Sequence, residues 1–102
     1  MLDILIVGGG MVGASVALKL SRAGMQVGLI EKQPVAAFDP QSSIDLRVSA
    51  INRRSEQWLT DLGAWSLLQQ WRVCPYKRLQ AFEGEQAGLT FHADEVALTH
   101  LG

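Results

Sequence analysis

Glycines occupy positions 8, 9, 10 and 13, between an aliphatic run and a stretch with helical spacing. Gly8, Gly10 and Gly13 satisfy G-x-G-x-x-G, the spacing with which a strand turns into a helix around a pyrophosphate. In that arrangement Gly8 permits the tight turn out of the strand, and Gly10 lets the backbone approach a phosphate with no Cβ in the way. Gly13 lets the helix lie close to the strand. The free N–H groups and positive dipole end at the start of the helix then face the phosphates. Glu31 ends the next apolar run, roughly 20 residues on, where a carboxylate can accept hydrogen bonds from the ribose hydroxyls of an adenosine. It also repels a 2′-phosphate, an effect softened by the adjacent Lys32. Gly9 has no assigned part. These positions point to an ADP-containing dinucleotide, and they serve FAD and NAD alike because both carry the ADP half.

The elements that must hold these residues are legible from the apolar pattern. Ile4-Leu5-Ile6-Val7 is continuous and rich in β-branched residues, which predicts a parallel strand buried on both faces. From Met11 to Ala23 the residues Val12, Val16, Ala17 and Leu20 recur at helical spacing, and Gly24 reads as the stop. Val27-Gly28-Leu29-Ile30 is a second strand, so residues 1–32 form a βαβ unit with parallel neighbours. Residues 33–50 carry Pro34, Pro40, Asp39 and two serines without periodicity and read as a loop. Helices are expected within 51–73, where Ile51, Trp58, Leu59, Leu62, Trp65 and Leu68 share a face and Gly63 breaks it. Cys74-Pro75 closes that region. A β-hairpin is expected over 77–93, with strands Lys77 to Glu83 and Leu89 to Ala93 around a Gly84 to Gly88 turn. The remaining tail has no clear pattern. The fold class is therefore α/β.

Composition narrows the partners. The 102 residues are 48% hydrophobic, suited to one domain or a piece of a larger one. Nine basic and ten acidic side chains leave a net charge of −1 with no Lys/Arg block, which argues against nucleic acid. Cys74 is the sole cysteine, so no intramolecular disulfide can form, and a reducing compartment fits. Asp3 precedes a short first apolar run, unlike the basic start of a signal peptide, and no run of about 18 apolar residues occurs. A cytoplasmic location is the expectation.

Other candidate chemistry is thinner. His92 and His100 have no third ligand nearby, so no metal site is expected, with both histidines incidental at the surface. Trp58, Trp65 and Trp71 share a helical stripe, read as core packing. Cys74 reads as a small structural hydrophobe. In Asp45-Leu46-Arg47-Val48-Ser49-Ala50-Ile51, Arg47 can reach a phosphate or the flavin side of a cofactor as a fixed positive charge. The alternative there is a surface Asp45 and Arg47 pair capping a helix.

The segments IVGGGMVGASVALKLSRAG, DLRVSAINRRS, LGAW and CPYKRL occur in this order. In that order they resemble the N-terminal region of the flavoprotein monooxygenases of ubiquinone biosynthesis. The resemblance covers nearly the whole chain, is specific in the glycine loop and the D-x-R-x-x-A-I segment, and is loose from Glu85 onward. It implies the N-terminal βαβ part of a Rossmann-like FAD-binding domain, an incomplete fold, with FAD as the bound dinucleotide. The implied activity is aromatic-ring hydroxylation of a prenylated quinol or phenol, using O₂ with NAD(P)H as electron donor. By resemblance Gly8, Gly10 and Gly13 serve the pyrophosphate, Glu31 the adenosine ribose, and Arg47 the cofactor near its flavin end; no catalytic acid or base is assigned. Implied partners are the small aromatic substrate and, peripherally, the inner membrane or other proteins of ubiquinone biosynthesis.

Members of that family run to several times this length, and later Asp-Gly and Gly-Asp segments complete their FAD site. The chain alone is therefore expected to lack hydroxylase activity, to hold FAD weakly, and to self-associate through the open edge of its first strand. An NAD-linked dehydrogenase domain and a non-catalytic nucleotide-binding or self-associating module remain the other readings.

Overall fold

A computed structural model describes residues 1–85 and 87–102, with Ala87 described by its backbone. Two compact units divide the chain at Ser42 and Ser43.

In the first unit, β1 (Ile4–Val7) and β2 (Val27–Ile30) pair in parallel, with Ile4 opposite Val27 and Val7 opposite Ile30. Parallel neighbours need a crossover, and α1 (Met11–Arg22) supplies it. Asp3 clamps the strand starts: its N–H donates to the Gln26 carbonyl at 2.8 Å, and its Oδ2 accepts from the Gln26 N–H at 2.7 Å. At the far end of α1, Lys19 and Arg22 lie in the last turn, where cations favour the dipole, and Gly24 takes φ +89° as the chain leaves.

Burial in this unit differs from the two-sided expectation. Ile4 and Ile6 are half-buried, but Leu5 and Val7 are 53% and 79% exposed. A single helix covers one face of a two-stranded sheet, so alternate strand residues stay in solvent. The covering face of α1 is also narrower than the sequence suggested: Gly13, Ala17 and Leu20 are half-buried, while Val12 and Val16 are exposed.

The second unit opens with an irregular, exposed stretch and then α2 (Arg53–Asp61). Asn52 caps α2, its Oδ1 accepting from the Ser55 N–H at 2.9 Å, so the cap is neither Asp45 nor Arg47. Leu62, 3% exposed, is buried where α2 gives way to α3 (Trp65–Gln69), and Gly63 marks the break with φ +74°. The helical region is shorter than 51–73, and α3 stops well before Cys74. Trp71 therefore falls outside it and is 54% exposed; Trp58 is 39% exposed, so the tryptophan stripe is not a buried core. Cys74 is exposed too, contrary to its reading as a packed hydrophobe.

An antiparallel hairpin follows, β3 (Arg78–Glu83) with β4 (Ala87–His92), placing Leu79 opposite Phe91 and Ala81 opposite Leu89. Gly84 begins the turn with φ +67°, and Gln86 of the expected Gly84 to Gly88 turn lies outside the described residues. A 3₁₀ turn over Ala93–Val96 supplies structure where the sequence had no pattern. Ala93 is 4% exposed, its N–H donating to the Lys77 carbonyl at 2.8 Å. Beyond it, Leu101 N–H donates to the Tyr76 carbonyl at 2.8 Å and Tyr76 N–H to the Gly102 carbonyl at 2.9 Å.

Candidate dinucleotide-binding site

Each loop glycine meets a different constraint. Gly8 continues the parallel ladder, its N–H donating to the Ile30 carbonyl at 2.8 Å, and then turns the chain with φ +105°, a region that L side chains rarely enter. Gly13 is set by proximity: a Cβ there would lie 1.8 Å from the Gly8 carbonyl oxygen and 3.5 Å from Ile6 Cγ2. Those contacts fix how closely α1 rides on the loop and on β1.

Gly10 is different. It caps α1 in extended backbone, φ −72° and ψ −171°, which any residue adopts, and a Cβ there would meet nothing within 4 Å. Nothing among the described residues requires glycine at this position; its missing side chain leaves open space. That space lies at a helix N-terminus with no side-chain cap and no acidic residue in the first turn. Helices leave their first N–H groups without internal partners, and these groups with the dipole favour an anion. The residues present thus fit a pyrophosphate.

Glu31 follows β2 directly and reaches back to the loop. Its Oε2 accepts from the Gly9 N–H at 2.6 Å and its Oε1 from the Gln33 N–H at 3.0 Å. The hydrogen bond from Gly9, then that from Gln33, hold its carboxyl below the ordinary value of 4.5. Glu31 is therefore an anion with a fixed orientation, able to accept further hydrogen bonds. Gly9, to which the G-x-G-x-x-G pattern gives no role, is the residue that tethers it to the glycine loop. Gly8, Gly10, Gly13 and Glu31 all lie in the first unit, whereas Arg47 belongs to the second, exposed in the stretch before α2.

A second polar cluster was not anticipated. Arg53 donates to Glu56 Oε2 at 2.7 Å from the first turn of α2, and His100 Nε2 lies 2.9 Å from the same oxygen, also touching Arg53. The side chains of Glu56 and His100 are 15% and 22% exposed, so His100 has a partner in the fold and is not an incidental surface residue. Partial burial pushes the Glu56 carboxyl up, but hydrogen bonds with His100 and Arg53 outweigh that and hold it below 4.5. No group of three or more His, Cys, Asp or Glu among the described residues is arranged to hold a metal ion.

A family model described as FAD dependent oxidoreductase matches residues 3–96. The chain belongs to that family. The match takes in both strands of the βαβ unit, the glycine loop and Glu31, and continues through the hairpin, consistent with a Rossmann-like α/β fold carrying extra helices and strands. Among curated relatives of this FAD dependent oxidoreductase chain is the 3-demethoxyubiquinol 3-hydroxylase of Escherichia coli (strain K12), 44% identical over 100 residues, covering 98% of the chain and 26% of that protein. The mitochondrial ubiquinone biosynthesis monooxygenase COQ6 of Drosophila melanogaster is 35% identical over 101 residues, covering 93% and 21%. Ubiquinone hydroxylase UbiL of Rhodospirillum rubrum is 37% identical over 70 residues, covering 65% and 15%. The chain thus spans about a quarter or less of the length of these relatives.

Proposed function

We propose that this chain is the ADP-cradling segment of an FAD-dependent aromatic-ring hydroxylase acting on a prenylated quinol or phenol of ubiquinone biosynthesis. The observation that carries the reading is Gly10, a glycine required by nothing among the described residues, placed at an uncapped helix N-terminus with Glu31 tethered beside it. In this assignment the Gly8 to Gly13 backbone and the start of α1 receive the pyrophosphate, and Glu31 accepts hydrogen bonds from the adenosine ribose. Arg47 supplies a positive charge toward the flavin end. Electron uptake from NAD(P)H and activation of O₂ are the chemistry that FAD supplies when bound. The three relatives named above, a hydroxylase, a monooxygenase and a second hydroxylase, support the reaction class.

A protein carrying this chain with the remaining length of its relatives is expected to purify yellow and to consume NAD(P)H and O₂ with a quinol or phenol substrate. A colourless protein that titrates with NAD and not with FAD contradicts the proposal. The 102-residue chain by itself is expected to show no turnover. A cytoplasmic protein with peripheral contact at the inner membrane suits a prenylated substrate; among the described residues, no helix is long and apolar enough to cross a membrane.

Self-association of the isolated chain belongs to the same reading. Among the described residues the sheet of the first unit has two strands, so β1 has one unpaired edge, and its Leu5 and Val7 are exposed. Among the described residues Leu62 and Ala93 are the buried apolar ones, a small core. A second copy pairing along β1 would satisfy the unpaired N–H and C=O groups of that edge. Sedimentation should therefore show dimers or larger species that dissociate when Val7 is replaced by Lys; a folded monomer at all concentrations contradicts this.

A further inference from the structure

Gly9 lies between the first two glycines of the fingerprint, Gly8 and Gly10, and its backbone does not need to be glycine. It is absent from the residues with positive φ, so the left-handed region plays no part in its choice. Side-chain space does. A Cβ at position 9 would stand 3.1 Å from Glu31 Cβ, 3.2 Å from Glu31 Oε2 and 3.3 Å from Glu31 Cγ. All three close contacts are to one residue, and that residue accepts the Gly9 N–H at 2.6 Å.

We infer that Gly9 is a positioning residue for ribose recognition: its N–H and its missing side chain together hold the Glu31 carboxylate where it accepts the adenosine hydroxyls. The inference rests on the proposed ADP-binding role of the loop. The Gly9 N–H occupies Oε2 and the Gln33 N–H occupies Oε1, which fixes the plane of the carboxylate and leaves each oxygen a further lone pair. An acceptor whose orientation is already fixed loses less rotamer freedom when it binds. Adding one methyl at position 9 requires Glu31, an exposed side chain in contact at 3.1–3.3 Å, to shift, and in the proposal that shift weakens its hydrogen bond from the Gly9 N–H. Gly9 would touch no part of the ligand's ribose; it acts through Glu31.

The test uses the 102-residue chain, with ADP and 2′-deoxy-ADP as probes, in wild type, Gly9→Ala, Glu31→Gln and the double variant. Wild type is expected to prefer ADP over 2′-deoxy-ADP, and Gly9→Ala to lose about three- to tenfold of that preference, the worth of about one hydrogen bond. In the double variant, Gly9→Ala should add nothing to the loss already caused by Glu31→Gln. An independent readout needs no ligand: NMR titration should find the Glu31 carboxyl below 4.5 in wild type and raised toward 4.5 in Gly9→Ala. Unchanged ADP preference with unchanged Glu31 titration in Gly9→Ala overturns the inference. Additive losses in the double variant overturn it as well. Failure of the underlying reading is distinguishable, because wild type would then bind neither probe, or both equally, whatever stands at position 9.

Discussion

Replacing Gly13 by alanine is expected to lower the thermal midpoint of the chain by at least about 5 °C, since overpacking costs about 1–3 kcal/mol and 1 kcal/mol moves a domain of this size by about 4–8 °C. The added Cβ would sit 1.8 Å from the Gly8 carbonyl oxygen and 3.0 Å from its carbon, and both atoms are backbone. No rotamer change relieves that contact. Either α1 moves away from β1 or Gly8 leaves the φ of +105° that ends the strand. Both responses also disturb the N–H groups at the start of α1, so ADP binding should fall together with stability.

Gly10→Ala is the matched comparison. Its Cβ meets no atom within 4 Å and its φ of −72° is ordinary, so any fall in the midpoint should be smaller than for Gly13→Ala and limited to the preference of a helix N-cap for glycine over alanine. ADP binding should nevertheless weaken, because the new methyl fills the space assigned to phosphate. Circular dichroism melting of both variants, with ADP titration, checks the pair. A Gly13→Ala chain that melts like wild type contradicts the close approach of α1 to the loop.

Replacing Glu56 by alanine should destabilise the second unit by about 1–3 kcal/mol, the usual cost of leaving partly buried donors without an acceptor. Arg53 and His100 both lose their shared carboxylate oxygen. Solvent reaches the stranded Arg53 guanidinium, 38% exposed, so the cost falls in the lower part of that range. The pH dependence has a definite sign. Glu56 is held below 4.5 in the folded chain, so its contribution is complete above 4.5 and disappears as pH falls through the lower folded value. Glu31 is shifted in the same direction and adds to the slope. Denaturant unfolding between about pH 5 and pH 3 should therefore show wild type losing more stability than Glu56→Ala. Parallel pH profiles for the two proteins contradict a paired Glu56.

The first unit was legible because several local signals agree. Continuous aliphatic residues, glycines in register and Gly24 at the helix exit each describe a few neighbouring positions, and β1, α1 and β2 appear at those positions. Burial was less legible, since it depends on what covers a surface. Nothing in Ile4-Leu5-Ile6-Val7 states that Leu5 and Val7 face solvent when one helix covers the sheet. The tryptophan stripe failed for a related reason: helical spacing implies a shared face only while the helix lasts, and α3 ends at Gln69 before reaching Trp71.

The site divides in the same way. Gly8, Gly10, Gly13 and Glu31 follow from spacing, because the chemistry of a strand, turn and helix sets the spacing. Gly9 was invisible, since its role appears only when Glu31 is placed beside it, 22 positions away in sequence. The pairing of Glu56 with His100 spans 44 positions and two elements, beyond any periodic pattern. Arg47 stands on resemblance and charge, and it lies in the other unit.

Titration of the ¹⁵N-labelled chain with ADP, followed by amide NMR, tests the cradle most directly. The predicted result is a saturable shift of the amides of Gly8 to Ala14 and of Glu31, with weak affinity, while the amides of Glu56 and His100 stay in place. No saturable shift at millimolar ADP, or shifts confined to the second unit, would contradict a phosphate cradle at the Gly8 to Gly13 loop.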